Sequence, residues 1–404
     1  MTDDADLALL TGDDAEGLLS AALATTDEEL VDWRVRQVDH RPGSSTTVSY
    51  DATVRGSGGE STQVLGASTG LRRTGSVPEG VLELSDGQTQ VAVWRLPLDP
   101  ALPGLATAMD DTAVRALLTS YGVAPGPVAL RVRSYRPRRR AVVEVRAPGC
   151  RVFLKVLRPS AVEVLHDRHR LLHDAGVPVP RSLGWRQDGL LVLEGLEGDT
   201  LRDRLRAGGD PAPTGGALLE LLDRLPAELC DLPLRRSWTD SVAHYAGVLA
   251  STLPEQADRA RELARRTTAT VGDAPADQPS HGDLYETQLL LDGSRITGLL
   301  DVDTAGPGRR ADDLACLLAH VSVLAQREPG HRESSHALGA RWLSFFDRSV
   351  DPVELRARTA GVVLSLATGP HRVQEPAWQE ATRARLDLAE QWLDSADRVR
   401  PGVA

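Results

Sequence analysis

Residues 281–315 read HGDLYETQLLLDGSRITGLLDVDTAGPGRRADDLA, the densest cluster of chemically capable side chains in the sequence. Asp283 stands five residues before Gln288. Asp301 follows after two short apolar runs joined through Asp292-Gly293, a dipeptide that favours a tight hairpin turn. A hairpin returns the chain to its origin, so it brings the Asp301 carboxylate beside the loop that carries Asp283 and Gln288. Two carboxylates and an amide oxygen converging in this way make a hard oxygen set. Such a set suits Mg2+, which binds through one or two carboxylates together with substrate phosphates.

The motif HGDxxxxQ, followed by a hairpin and LLDVDTAGPGRRADDLA, resembles the catalytic segment of the aminoglycoside phosphotransferase family, whose members have a protein-kinase-like fold. With Gln rather than the usual Asn as its last residue, it is similar to the maltokinase and glucosamine kinase branch. The resemblance covers roughly residues 125–400. It implies an α+β, two-lobed protein-kinase-like fold, with a β-rich N-lobe and a mainly helical C-lobe, preceded by an α+β N-terminal cap. It further implies ATP as phosphate donor and Mg2+ as cofactor. Asp283 would then be the catalytic base, and Gln288 and Asp301 the metal ligands. Gln is one methylene longer than Asn but offers the same carbonyl oxygen. His281 would be a structural member of the loop, braced by Asp313 from the following helix.

The same resemblance gives a role to Lys155, in VFLKV, the only lysine among 46 basic residues. It would grip the α- and β-phosphates, a task for a compact ammonium rather than a planar arginine fork. Glu163 or Asp167 on the next helix would pair with it, and Glu194 to Leu196 would form a hinge whose backbone binds adenine. No glycine-rich loop precedes Lys155; YRPRRRAVV holds its place, so Arg138, Arg139 and Arg140 either contact phosphates or form a solvated basic turn. Asp303 is expected only to support the site.

These residues need a scaffold. Apolar spacing predicts a helix over 13–33 and strands from about Val35 through TTVSYDATVRG (46–56) and TQVAVWRLPLD (89–99), with GSGGES (56–61) as a turn. A helix over 110–121 ends at Gly122, closing an α+β unit at 1–125. Strands over 129–157, with a hairpin turn at APG (147–149), a helix over 158–176 and a strand over 189–198 make a β-rich unit at 126–196. The rest, 197–404, reads as helices at 200–207, 214–230, 239–251, 254–270, 311–326, 334–348, 352–367 and 375–398, interrupted by the β-rich island at 279–305. RPGSSTTVSY (41–50) echoes RPRRRAVVEV (136–145), through coincidence or a structural duplication. His166, His169 and His173 share a helix face, expected to be a basic surface rather than a metal site.

Composition narrows the function classes. The chain has 404 residues, 41% hydrophobic and 25% charged, with a net charge of −11. That balance disfavours nucleic acid and anionic membranes as partners, and no apolar run is long enough for a transmembrane helix. The acidic start MTDDAD lacks the pattern of a signal peptide. Three scattered cysteines, Cys150, Cys230 and Cys316, argue against a disulfide framework and against a zinc site, and suit a reducing cytoplasm. The expected activity is phosphorylation of a hydroxyl on a small polar molecule, a sugar or aminosugar. The alternatives are an aminoglycoside-type antibiotic kinase and a nucleotide-binding pseudokinase with a regulatory role.

Overall fold

Alternating apolar residues in the first half of the chain build two antiparallel sheets in the computed structural model, which describes residues 3–70, 79–85, 87, 89–123, 126–208 and 212–400. The first sheet comprises β1 (Glu29–Arg41), β2 (Ser45–Gly56), β3 (Gly59–Thr69), β4 (Val81–Ser85) and β5 (Gln90–Arg95), in the order β1-β2-β3-β5-β4. Helices Asp3–Thr11 and Asp14–Ala24 close one face of it, with Leu10, Ala15, Leu19 and Leu23 packed among Val38, Val48, Tyr50, Val54, Leu65 and Val93. The helix expected over 13–33 therefore stops at Ala24. Residues from Glu29 onward pair with β2, Glu29 opposite Arg55 and Arg41 opposite Ser45, so sheet pairing overrides local helical spacing.

The second sheet comprises β6 (Ala129–Arg136), β7 (Arg140–Ala147), β8 (Cys150–Leu157), β9 (Ser182–Trp185) and β10 (Leu190–Glu194), in the order β6-β7-β8-β10-β9. Its connectivity repeats that of the first sheet. The Arg-Pro echo marks the matching hairpin in each. Ser44 N–H bonds Arg41 O at 3.0 Å and Arg139 N–H bonds Arg136 O at 2.9 Å. The residue after each proline is left-handed, Gly43 at φ 73° and Arg138 at φ 59°. The echo is thus a structural duplication of hairpin and sheet order.

Helices Gly104–Ala108 and Asp111–Ser120 lie on the second sheet, where Leu105, Val114, Leu117 and Leu118 pack against Val143, Val145, Leu154, Val156 and Val192. Both helices fall within the expected 1–125 unit, whose boundary residue 125 itself falls outside the described residues. By contacts, the chain divides into one unit of Met1–His166, Ser182–Gly195 and His371–Pro376 and another of Asp167–Arg181, Leu196–Pro370 and Ala377–Ala404.

Helix Pro159–Asp174 buries Val162, Leu165, His169 and Leu172, spaced three and four residues apart. His169 is therefore not part of a basic surface: it is 1% exposed, with Nδ1 2.9 Å from Pro180 O. His166 Nδ1 is 2.7 Å from Ser182 Oγ.

The second unit is mainly helical. Its β-structure is β11 (Asp199–Thr200), β12 (Gln278–Ser280), β13 (Leu289–Asp292), β14 (Arg295–Leu299) and β15 (Gly306–Gly308). β13 pairs with both β11 and β14, and β12 with β15. The helix expected over 214–230 ends at Asp223, and Pro226 precedes a separate 3-10 turn at Ala227–Asp231. Helix Arg310–Arg327 runs past the β12–β15 ladder, and helix Pro352–Leu366 is buried from Leu355 to Ser365. Among the described residues no helix is long and apolar enough to cross a membrane. The chain is a mixed α/β protein, with its large sheets in the N-terminal half and helices dominating after residue 200.

Candidate active site

The loop between β12 and β13 is held from both sides. Asp313, 1% exposed in the first turn of helix Arg310–Arg327, accepts the backbone N–H of His281 at 2.8 Å and that of Gly282 at 2.7 Å. Burial raises the Asp313 pKa to about 7 against the pull of these two donors. His281 Nε2 lies 2.9 Å from Leu300 O, which can only accept, so Nε2 carries the proton. Its Nδ1 then accepts the Asp283 N–H at 3.3 Å. Thr304 Oγ1 donates to His281 O at 2.8 Å. Gly282 sits at φ +78°, where a Cβ would come within 2.8 Å of Thr304 O, so the tight loop requires glycine. The N–H groups of His281, Gly282 and Asp283 thus help to fix where the half-buried Asp283 carboxylate stands.

The hairpin turns at Asp292-Gly293, as its sequence predicts, with Leu289 opposite Leu299. Leu300 N–H bonds Gln288 O at 2.8 Å, which sets the two strand ends side by side. Gln288, 5% exposed, points its amide Nε2 at Asp301 Oδ2 from 3.5 Å. Asp301 is left-handed, at φ 56° and ψ 50°, a conformation costly for a residue with a Cβ and one that clusters at functional sites. A half-turn of that amide would put its oxygen beside the carboxylate, and an amide oxygen with a carboxylate on adjoining strand ends is a donor chemistry that fits Mg2+. Asp303 offers its backbone oxygen to Arg168 Nη1 at 2.7 Å.

A second layer of the same loop escapes sequence reasoning. Glu286 is fully buried, and Arg202 grips its Oε1 with Nε at 2.9 Å and Nη2 at 2.5 Å. His320 Nδ1 approaches the other oxygen, Oε2, at 3.8 Å, and the imidazole stacks on Tyr285 with ring centroids 4.2 Å apart. Cys316, one turn before His320, points its sulfur at Asp283 Oδ1 from 3.9 Å. Helical spacing of Asp313, Cys316 and His320 on one face was the available signal; without knowledge of the loop opposite, nothing joined it to Glu286.

Burial pushes the His320 pKa down to about 4, outweighing the attraction of Glu286. Because the folded value lies below the unfolded one of about 6.5, the unfolded chain binds the extra proton first. The stability this neutral imidazole carries is therefore whole above about pH 6.5 and is lost as pH falls toward 4. Urea unfolding should show a loss of up to about 3 kcal/mol across that window from this group. His320→Gln should flatten that part of the slope.

Of the remaining expected residues, Lys155, Glu163, Arg138 and Glu194 belong to the first unit, and Asp167 and Leu196 to the second. Lys155 is 5% exposed on β8, opposite Val142 and Leu191, on the sheet face away from the core formed with Leu154 and Val156. Glu163 and Asp167 are both exposed, on the side of their helix opposite the buried Val162–Leu165–His169 stripe. The Arg138 guanidinium is not held for a phosphate. It donates to Ser68 Oγ at 2.7 Å, while its backbone N–H donates to buried Asp99 at 2.7 Å. Asp99 also takes the Tyr135 hydroxyl at 2.8 Å, and Trp94 Nε1 donates to that hydroxyl at 2.9 Å. Arg139 pairs with Asp39 at 2.8 Å. The turn expected to replace a glycine-rich loop is thus tied to the first sheet. Glu194, exposed, ends β10 opposite Val152, and the chain passes from the first unit to the second between Gly195 and Leu196.

The sequence profile of the phosphotransferase enzyme family matches residues 131–348, more than half of the chain. The homoserine kinase of Pseudomonas aeruginosa is 28% identical over 216 residues, 50% of this chain and 59% of that relative, so the match spans less than two thirds of the relative's length. Among solved structures, the apo form of a thermostable mutant of aminoglycoside phosphotransferase APH(4)-Ia is 18% identical with a TM-score of 0.47, covering 71% of this chain and 99% of its own. The choline kinase of Cryptosporidium parvum Iowa II is 11% identical with a TM-score of 0.49, covering 72% of this chain and 97% of its own.

Proposed function

The chain belongs to the phosphotransferase enzyme family, and from that premise we propose that it transfers the γ-phosphate of ATP to a hydroxyl of a small polar acceptor, a sugar or aminosugar. The observation that carries this reading is the loop clamped by Asp313, which fixes Asp283 two residues from His281 while Gln288 and Asp301 meet beside it. Phosphoryl transfer needs in-line positioning and neutralised phosphate charge more than covalent chemistry by the protein. Asp283 accepts the proton of the acceptor hydroxyl as the oxygen attacks. Gln288 and Asp301 are the residues that would hold Mg2+, whose chemistry there is to neutralise charge on the transferring phosphate. Lys155 supplies the one compact ammonium of the chain to the donor phosphates, and the backbone from Glu194 to Leu196 serves the adenine. This reading gives no part to Glu163, which is exposed, or to Arg138, which donates to Ser68 Oγ.

An acceptor screen tests it. ATP consumption is followed with Mg2+ and a panel of sugars, aminosugars, aminoglycosides and homoserine. Acceptor-dependent ADP release is the expected result; ATP binding with no transfer to any hydroxyl would move the chain to the regulatory class. In the working enzyme, Lys155→Arg should raise KM for ATP by on the order of tenfold, because the planar fork cannot occupy an ammonium's place between phosphate oxygens. An unchanged KM would take the phosphate role from Lys155.

A further inference from the structure

The spacing of the cysteines argued against a zinc site, yet folding brings one of them into a mixed donor cluster. Cys316 and His320 are one turn apart on helix Arg310–Arg327 and project from the same face. Asp283 meets them from the loop opposite, and one donor atom from each of the three residues lies within 4.8 Å of the other two. We propose that Asp283, Cys316 and His320 bind a soft divalent cation of the Zn2+ type.

The donor types select the ion. A thiolate, an imidazole and one carboxylate match Zn2+ and its neighbours, whereas Mg2+ takes oxygen alone. Tetrahedral bonds of about 2.0–2.3 Å put ligand atoms roughly 3.3–3.8 Å apart, so the cluster needs to contract by about 1 Å. The Cys316–Asp283 separation of 3.9 Å is already close to that spacing.

The histidine is also prepared from behind. Glu286 Oε2 has no hydrogen-bond partner although its side chain is 1% exposed, and it faces His320 Nδ1 at 3.8 Å. A carboxylate behind an imidazole fixes the tautomer and raises the basicity of a metal-binding histidine. Closing that gap by about 1 Å as the ion binds would turn Nδ1–H to Glu286 and leave Nε2 for the ion, and Tyr285 stacked on the ring limits its rotation. Entry is from the Asp283 side, since Cys316 is 1% exposed and Asp283 is half-buried. Binding replaces the thiol proton with the ion and releases that proton to water.

An ion held there takes the Asp283 carboxylate away from an acceptor hydroxyl, a consequence that rests on the proposed phosphotransfer; the site itself does not. The full chain, free of Mg2+, is titrated with Co2+ and followed by absorption. One Co2+ per chain with a thiolate-to-metal charge-transfer band, displaced by Zn2+, is expected. Cys316→Ser should lose the band, and Glu286→Gln should keep it while weakening Zn2+ binding by about 10–100-fold. His320→Asn, with the cysteine intact, should weaken binding by at least about as much, which provides a reading if Cys316→Ser does not fold by circular dichroism. No band in the wild-type chain, or a band that survives in folded Cys316→Ser, overturns the site. With Mg2+ and ATP present, saturating Zn2+ should lower phosphate transfer by on the order of tenfold or more. A band without inhibition would leave the site standing and remove Asp283 from the role of proton acceptor.

Discussion

Asp283→Asn is expected to lower kcat by about 10²–10⁴-fold, the range for losing a positioned general base, and to leave ATP affinity unchanged. The substitution is nearly isosteric, and the groups that position the residue act on the backbone. His281 Nδ1 accepts the Asp283 N–H, and Asp313 holds the two residues before it. The loop should therefore keep its shape, with a melting temperature close to that of the wild-type chain. What changes is chemical: a carboxamide cannot take a proton from the attacking hydroxyl. Single-turnover transfer, measured at saturating ATP and acceptor, isolates that step from product release. Turnover within a few fold of the wild-type value would sink the assignment. A loss in kcat accompanied by an equal loss in ATP affinity would point to a displaced loop rather than a missing base.

The geometry behind that expectation was readable from sequence because it is local. Asp292-Gly293 dictates the hairpin, the hairpin dictates that Gln288 meets Asp301, and each step spans fewer than 20 residues. Asp313, more than 30 positions from the backbone groups it holds, was expected only through the family resemblance. Glu286, Cys316 and His320 were not legible: a buried glutamate beside an arginine 84 positions away follows no spacing rule. The acid expected to face Lys155 is a different case. Helical spacing places Glu163 and Asp167 with equal ease, but which face turns inward is set by Val162, Leu165 and His169, and that stripe leaves both acids in water.

The N-terminal half shows the same division. Arg-Pro hairpins and alternating strands announced two sheets, and the duplicated order of the strands confirmed the echo. The destination of the Arg138 loop was hidden, because Asp99, Ser68 and Asp39 come from other parts of the chain. Buried Asp99 takes the Arg138 N–H and the Tyr135 hydroxyl together, and burial raises its pKa despite them. A turn fixed by a neighbouring sheet has no need of glycine to adopt its shape, which accounts for arginine at a left-handed position.

Asp301→Asn should cost about 10²–10³-fold in kcat, from the several kcal/mol of charge stabilisation attributed to a catalytic metal. The Mg2+ concentration giving half-maximal rate should rise by at least about tenfold, since an amide replaces an anionic ligand. Backbone strain makes the choice of variant decisive here. Asp301 sits at φ 56°, ψ 50°, which Asn and Gly tolerate and which costs Ala about 1–2 kcal/mol. Stability by urea unfolding should therefore rank Asp301→Gly and Asp301→Asn above Asp301→Ala, while all three lose activity to a similar degree. Two readouts separate the roles of the residue in this way. If activity instead followed stability, recovering in the Gly and Asn variants, the carboxylate would be no metal ligand. Asp301 would then matter only as the residue that lets the chain turn left-handed at the end of β14.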